Sequence, residues 1–404
     1  MQNQTHPKIR NLNPHPIIHQ GQSFLVLRDP LRLTEHSVVL PQFLAPLILL
    51  CDGSRTKNAI RAILRLHFGL PIDKDTLDRF LDIFDEMLLL DNERTTQARE
   101  QALMAYRSAP FRPPALAGSS YPANPAALHR HLQDYLEAAD VSPHPDGGSG
   151  LLSPHIDYLR GGEVYAQVWK RAAKMVKAAD LVIVLGTDHH GGHNPLTLTR
   201  QNYATPFGVL PTDRDVVNAI AESIGEKIAF TGELYHRDEH SIELVATWLQ
   251  HLRDKKPVPI VPILCGSFAS HVFGEEHIEN NPFINNLVET VRSATRGRNV
   301  FYVISGDLAH VGPAFSGEPL NDQGRNAIQA ADDELLQQMA AGNASGFFHA
   351  IQHVRDQNNV CGTIPVYLAM RMMGEVSGEV TGYRQCPADE QGTSIVSVGG
   401  VVFT

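Results

Sequence analysis

Three apolar runs of this chain end in the same way, on a polar turn that carries histidine or aspartate. Leu151-Leu152 leads into Ser153-Pro154-His155. Leu181–Leu185 leads into Gly186-Thr187-Asp188-His189-His190, and Phe301–Ile304 into Ser305-Gly306-Asp307-Leu308-Ala309-His310. Imidazole combined with carboxylate or thiolate is the ligand chemistry of iron, zinc, copper or nickel. One histidine after a strand is ordinarily a loop residue or a helix cap; three coincident cases favour a site. His189 and His190 are neighbours, so their side chains point in different directions. One of them is expected to bind, and the other to support it or face a substrate.

Two further clusters precede apolar helices. In His236-Arg237-Asp238-Glu239-His240-Ser241-Ile242-Glu243 the acids suit a helix N-terminus. His236 and His240 have the spacing of a metal-binding helix, but Arg237-Asp238 places His236 ahead of the helix, and that pair is set aside. Asn359-Val360-Cys361-Gly362 is the second cluster. A thiolate at a helix N-terminus has a lowered pKa and serves as a soft ligand or a nucleophile; a buried structural cysteine is the plainer alternative. Cys265 follows a strand and reads as structural.

The elements that must carry these groups alternate. Short strands at 151–152, 181–185, 258–264 and 301–304 are interleaved with helices near 162–177, 213–224, 241–252, 285–294 and 323–341. That alternation predicts an α/β fold with a helix-flanked, mainly parallel sheet. Ligands of such sheets bind beyond the carboxyl ends of the strands, which aims His155, His189, His190, Asp307 and His310 at one rim.

The first part of the chain has a different texture. Pro16–His19 and Ser23–Leu27 predict a hairpin around Gln20-Gly21-Gln22. Helices follow from about Pro41 to Cys51, from Lys57 to His67 behind a Thr56 cap, and from Asp73 or Asp75 through Leu88. The expected division is a small α+β unit at 1–95, a linker at 96–114 and an α/β domain at 115–404.

The 404 residues carry 44 acidic and 34 basic side chains, a net charge of −10, which argues against a basic nucleic-acid binder. No apolar run approaches the roughly 20 residues of a membrane span. The N-terminus has no signal-peptide core, so a cytoplasmic protein without membrane contact is expected. Cys51, Cys265, Cys361 and Cys386 form no CxxC pair, which excludes a zinc ribbon.

The segments "LAGSSYPANPAALHRHL", "SPHIDYLRGGEVYAQVWK", "VLGTDHHGG", "YATPFGVLPTD", "RDEHSIELVATWL", "VPIVPILCGS", "VISGDLAHVG", "VCGTIPVYLAM" and "GTSIVSVGGVVF", in that order, resemble the Memo family. The resemblance covers about Phe111 to Thr404, and the bacterial and archaeal branch of the family is similar to the B component of the AmmeMemoRadiSam grouping. It implies a fold like the class III extradiol dioxygenases, with cysteine in place of their glutamate ligand. By motif, His155, His189 and Cys361 would hold the metal: Fe(II) first, with Cu(I) or Zn as alternatives. His190, His240, Asp307 and His310 would line the cavity as acid/base or supporting groups. A radical SAM protein and an AMMECR-like protein are the implied partners. Two departures stand out. Ile156-Asp157-Tyr158 replaces Ala-Gly-Tyr and adds a carboxylate near the site, and Cys361-Gly362-Thr363 lacks the usual following Arg or Lys.

The N-terminal stretch "LCDGSRTKNAIRAIL…FLDIFDEMLLLD" resembles a winged-helix unit of the PqqD-like peptide-recognition type. Its acidic third helix would repel phosphate, so a peptide rather than nucleic acid is the expected ligand. Three functions follow from these readings: a non-haem redox metalloenzyme, dioxygenase-like; a metal- or peptide-binding adaptor for a radical SAM partner; or a zinc-dependent hydrolase.

Overall fold

The computed structural model describes residues 5–34, 37–145, 147–190, 194–274 and 276–404. The chain divides into two compact units, Met1–Ser108 and Ala109–Thr404.

In the first unit, β1 (Asn13–His19), β2 (Gln22–Arg28) and β3 (Val38–Pro41) form an antiparallel sheet in that order. Gln20 and Gly21 both have positive φ, 51° and 75°. That is the backbone of a two-residue turn matching the twist of a hairpin. Helices Ala45–Leu50, Lys57–Phe68 and Lys74–Glu86 pack Leu47, Ile60, Leu64, Leu77 and Phe84 into one core. Thr56 accepts the Ala59 N–H at 3.2 Å and Asp73 accepts the Thr76 N–H at 2.7 Å, so both caps start their helices. A fourth helix, Glu93–Ser108, occupies most of the stretch read as a linker and buries only Thr95 and Tyr106.

The second unit is a mixed α/β structure around one helix-flanked sheet. Its strands are β4 (Gly150–Ser153), β5 (Leu181–Thr187), β6 (Leu196–Leu198), β7 (Tyr203–Thr205), β8 (Gly208–Leu210), β9 (Ile260–Cys265), β10 (Val300–Ser305), β11 (His310–Val311), β12 (Gly378–Pro387) and β13 (Ile395–Phe403). The sheet order is β11-β13-β4-β10-β5-β9-β6, with β12 also paired to β13, while β7 and β8 form a separate hairpin. The centre, β4-β10-β5-β9, is parallel. Both flanks are antiparallel, so the sheet is mixed rather than mainly parallel. The unexpected flank is the β12–β13 ribbon. Gly399-Gly400 interrupts its apolar pattern, yet a side chain is what that position excludes: a Cβ on Gly400 would lie 2.8 Å from Thr381 Oγ1.

Alternate strand residues serve opposite faces. Leu152, Ile183, Leu185 and Ile304 face one helical layer, and Leu151, Val182, Val184 and Val303 the other, with Trp169 and Trp248. Each such buried side chain contributes about 1.5–3 kcal/mol. The helix His240–Leu252 is buried at every position from Ser241 onward, so its polar side chains, Glu243 and Gln250 among them, are enclosed with its apolar ones. Among the described residues no helix is long and apolar enough to cross a membrane.

The order of visits matters for the site. The chain runs from β4 to β5, then β9, and only then places β10 between β4 and β5. The carboxyl ends of β4, β10 and β5 therefore stand side by side at a switch point.

Candidate metal centre

His155 lies two residues beyond β4 and is fully buried. Its backbone N–H donates to Asp307 Oδ1 at 2.8 Å, and the Ile156 N–H reaches the same oxygen at 3.4 Å. Asp307, two residues beyond β10, thus fixes the turn that carries His155. Burial pushes the Asp307 carboxyl up, against His310 and the two N–H donors. Burial, reinforced by His189 and His240, holds the His155 ring well below its ordinary pKa and hence neutral, the form that binds metal. Its Nε2 lies 3.1 Å from Cys361 Sγ.

Cys361 stands two residues ahead of helix Thr363–Met373. Sγ accepts the Asp307 N–H at 3.3 Å, the Gly362 N–H donates to Asp307 O at 3.1 Å, and Thr187 Oγ1 donates to Cys361 O at 2.8 Å. The cysteine turn is therefore stitched to the ends of both β10 and β5. Glycine is needed at the crossing: a Cβ on Gly306 would sit 2.6 Å from Gly362 Cα. The lowered thiol pKa expected from the helix N-terminus is not found. Burial pushes the Cys361 thiol up, and His189 only partly offsets it.

His189 is two residues beyond β5, and its partner is a residue that sequence reasoning assigned only to helix electrostatics. Glu239 is completely buried. Its carboxylate accepts the His189 backbone N–H and the Ser241 N–H, each at 3.0 Å, and meets His189 Nδ1 at 3.0 Å and His240 Nδ1 at 3.1 Å. A carboxylate only accepts, so both rings carry their proton on Nδ1 and keep Nε2 for another ligand. Burial alone would raise Glu239, but the two rings hold it well below the usual carboxylate range. Burial would likewise depress His189; Glu239 and Cys361 outweigh it, and the ring is held well above its ordinary value. As the cap of helix His240–Leu252, Glu239 looks in sequence like any N-terminal acid, which is why it was missed.

The turn bearing Glu239 is anchored in turn by Arg112, also fully buried. Arg112 Nε donates to His236 O at 2.9 Å, Nη2 donates to Glu239 O at 3.0 Å, and Nη1 pairs with Glu243. Glu243 also accepts the Ala115 and Leu116 N–H groups, each at 2.8 Å, and the Tyr121 hydroxyl. The His236 ring Nε2 lies 3.0 Å from Thr197 O, away from the centre.

The rings of His155, His189 and His240 have centroids 4.5–5.1 Å apart, and their ligand nitrogens lie within 4.8 Å of one another. They open onto a pocket of about 540 Å³ whose walls include Asp157, Asp307 and His310. His310 Nδ1 is 3.2 Å from Leu308 O and 3.1 Å from Asn359 O, so it donates and leaves Nε2 unprotonated in the neutral ring. Asp157 does not offer a loose carboxylate: it caps helix Tyr158–Arg171 through the Arg160 N–H at 3.1 Å and binds Arg160 Nε at 2.6 Å. His190 does not line the pocket. Its N–H donates to Asp188 Oδ1 at 3.1 Å, and its ring Nδ1 is buried without a hydrogen-bond partner among the described residues. The Gly191-Gly192 end of its motif lies outside the described residues. Cys265 is buried at the end of β9, and burial pushes its thiol up, as suits a structural residue.

A protein-family model described as "Memo-like protein" matches residues 112–402. A MEMO1 family protein of Aquifex aeolicus is 24% identical over 407 residues, 98% of this chain and 99% of the relative. A MEMO1 family protein of Methanosarcina barkeri is 28% identical over 276 residues, 68% of this chain and 92% of the relative. One of Thermococcus kodakarensis is 27% identical over 306 residues, 72% and 98%.

Proposed function

Since the chain belongs to the Memo-like protein family, we propose that the rim of its sheet is a redox-active transition-metal centre held by His155, His189 and Cys361. The observation that carries this reading is the convergence of Cys361 Sγ on His155 Nε2 at 3.1 Å. Bonds of about 2.0–2.3 Å to one ion place two ligand atoms roughly 3–3.6 Å apart. The donor set also fits. Two imidazoles with a thiolate suit iron or copper; the Nε2 proton that Glu239 and Cys361 favour on His189 would be displaced by a metal, while Glu239 holds the Nδ1 proton. Iron or copper there would supply one-electron redox chemistry toward a small molecule or peptide; Fe(II) is the first choice and Cu(I) the second. Asp307 holds the backbone of His155, and His310 offers Nε2 at the pocket wall to accept or return a proton. Strand-end histidines on a helix-covered sheet support a kinship of fold with the class III extradiol dioxygenases.

The proximity of the His240 ring supports a second reading. Three imidazoles are a zinc donor set, suited to hydrolysis. Substituting Cys361→Ser decides between them. The thiolate-bearing set predicts that full-length protein purified without oxygen carries one iron or copper per chain and that Cys361→Ser loses it. Retention in that variant of one zinc per chain that is lost on adding His240→Ala, with no iron or copper in either protein, would install the three-imidazole set instead.

In the same reading the unit Met1–Ser108 is a winged-helix, PqqD-like module that takes a peptide by strand addition; the outer edges of β1 and β3 in its three-stranded sheet support this. A radical SAM protein and an AMMECR-like protein are the partners proposed for the whole chain.

A further inference from the structure

The second unit holds another convergence of metal-ligating side chains, away from every residue of the centre described above. His277 precedes the 3-10 turn Ile278–Asn280, Glu279 lies within that turn, and His349 lies on helix Ala344–His353. One ligand atom from each falls within 4.8 Å of the other two. We propose that His277, Glu279 and His349 form a second metal site, for a zinc-type divalent cation.

The argument rests on Glu279. Its Oε1 is shut off from solvent and accepts no hydrogen bond among the described residues, yet it stands 2.9 Å from His349 Nε2. A carboxylate oxygen in that condition is costly to leave unsatisfied. The pair lacks hydrogen-bond direction, and the His277 ligand atom lies within the same 4.8 Å cluster. A cation there would satisfy Oε1. Two imidazoles and one carboxylate are a zinc donor set, and the lack of a thiolate disfavours Cu(I).

The ligands sit on anchored elements. Ile278, between His277 and Glu279, is 1% exposed, and Phe347 and Phe348, just before His349, are equally deep. Asn285 Nδ2 donates to Glu279 O at 3.2 Å, and Gln352 Nε2 ties the histidine-bearing helix to His271 O at 2.7 Å. Such support holds ligand geometry without metal. His277 and His349 are themselves exposed, which leaves the remaining coordination positions to water. The ion would clip residues 277–279 to helix Ala344–His353. The segment leading into this turn contributes Phe268, Ser270 and His271 to an open pocket of about 430 Å³, so the clip would also steady that wall.

The test is a chelator-competition titration with Zn²⁺ on the metal-stripped, full-length chain carrying His155→Ala and Cys361→Ser, which disables the principal centre. One equivalent should bind, and adding either His349→Ala or Glu279→Gln should weaken it by at least about tenfold. No zinc uptake, or uptake unchanged by those substitutions, would overturn the site and leave an ion pair only. If the doubly substituted chain does not fold, the otherwise unmodified chain serves. There His349→Ala must remove one zinc equivalent, whatever the total, and an unchanged total rejects the proposal. Failure of the principal centre would change that total without changing the difference.

Discussion

Glu239→Gln separates a constructed metal centre from a coincidence of histidines. The wild-type carboxylate is fully buried and engages the His189 N–H through Oε2. Its Oε1 meets His189 Nδ1, His240 Nδ1 and the Ser241 N–H. Glutamine has nearly the same shape but only one accepting oxygen. The favoured orientation keeps that oxygen toward the two rings and Ser241, and turns the amide NH₂ against the His189 N–H. One hydrogen bond to a charged acceptor is lost, worth about 1.5–3 kcal/mol, and both rings lose their anion. Loss of such a ring partner typically weakens metal binding by about 10–100-fold, or roughly 1.4–2.7 kcal/mol. The first figure is a stability cost that the metal-free chain shares, so the fall in affinity is set by the second. The assay is competitive Co²⁺ titration of the full-length chain, followed by thiolate-to-cobalt absorption, which a site made of histidine and glutamate does not give. Urea unfolding of the metal-free protein runs in parallel. A Co²⁺ affinity within about threefold of wild type, less than half the tenfold step, alongside a lowered urea midpoint would refute the reasoning: Glu239 would then hold the helix start and nothing more.

Two other substitutions test the scaffold. Arg112→Leu leaves Glu243 charged, buried and without its cation, and should destabilise the second unit by about 3–5 kcal/mol; an unfolding midpoint close to wild type would contradict the role given to this pair. Asp332 is pushed up to about 6 from 3.8 by burial, against its hydrogen bonds with Ser397 and Tyr383. A folded carboxyl that holds its proton more tightly than the unfolded one contributes stability below pH 3.8, lost as pH rises through about 6. Asp332→Asn should remove that loss, so variant and wild type should diverge by about 2.4 kcal/mol between pH 4 and pH 7 in urea unfolding; parallel curves would count against it.

What the sequence displays and what it conceals follow from range and pattern. The strands β4, β5, β9 and β10 are buried on both faces, so they appear as apolar runs, and the polar residues after them stand out. That made His155, His189 and Asp307 legible. The antiparallel flank was not, because β12 is half exposed and β13 is split by two glycines. Glu239 was hidden by a double use: capping a helix and orienting two imidazoles call for the same residue at the same place. Arg112 was hidden by distance, sitting in an apparent linker 131 residues from its carboxylate partner. For Cys361 the chemical type was legible but the sign of its pKa shift was not, since desolvation depends on neighbours that only the folded chain supplies.

The topology also decides what a bound metal could stabilise. His155 and Cys361 meet across 206 residues, and the Asp307 between them arrives only when β10 enters the gap between β4 and β5. A partly folded chain with β4 and β5 paired to nothing has neither the third donor nor the carboxylate that sets the His155 turn. Binding free energy at this centre is therefore folding free energy of the whole second unit. The His277, Glu279 and His349 group joins a turn to one helix, and its metal would restrain that junction alone. The two sites differ in what they hold together before they differ in chemistry.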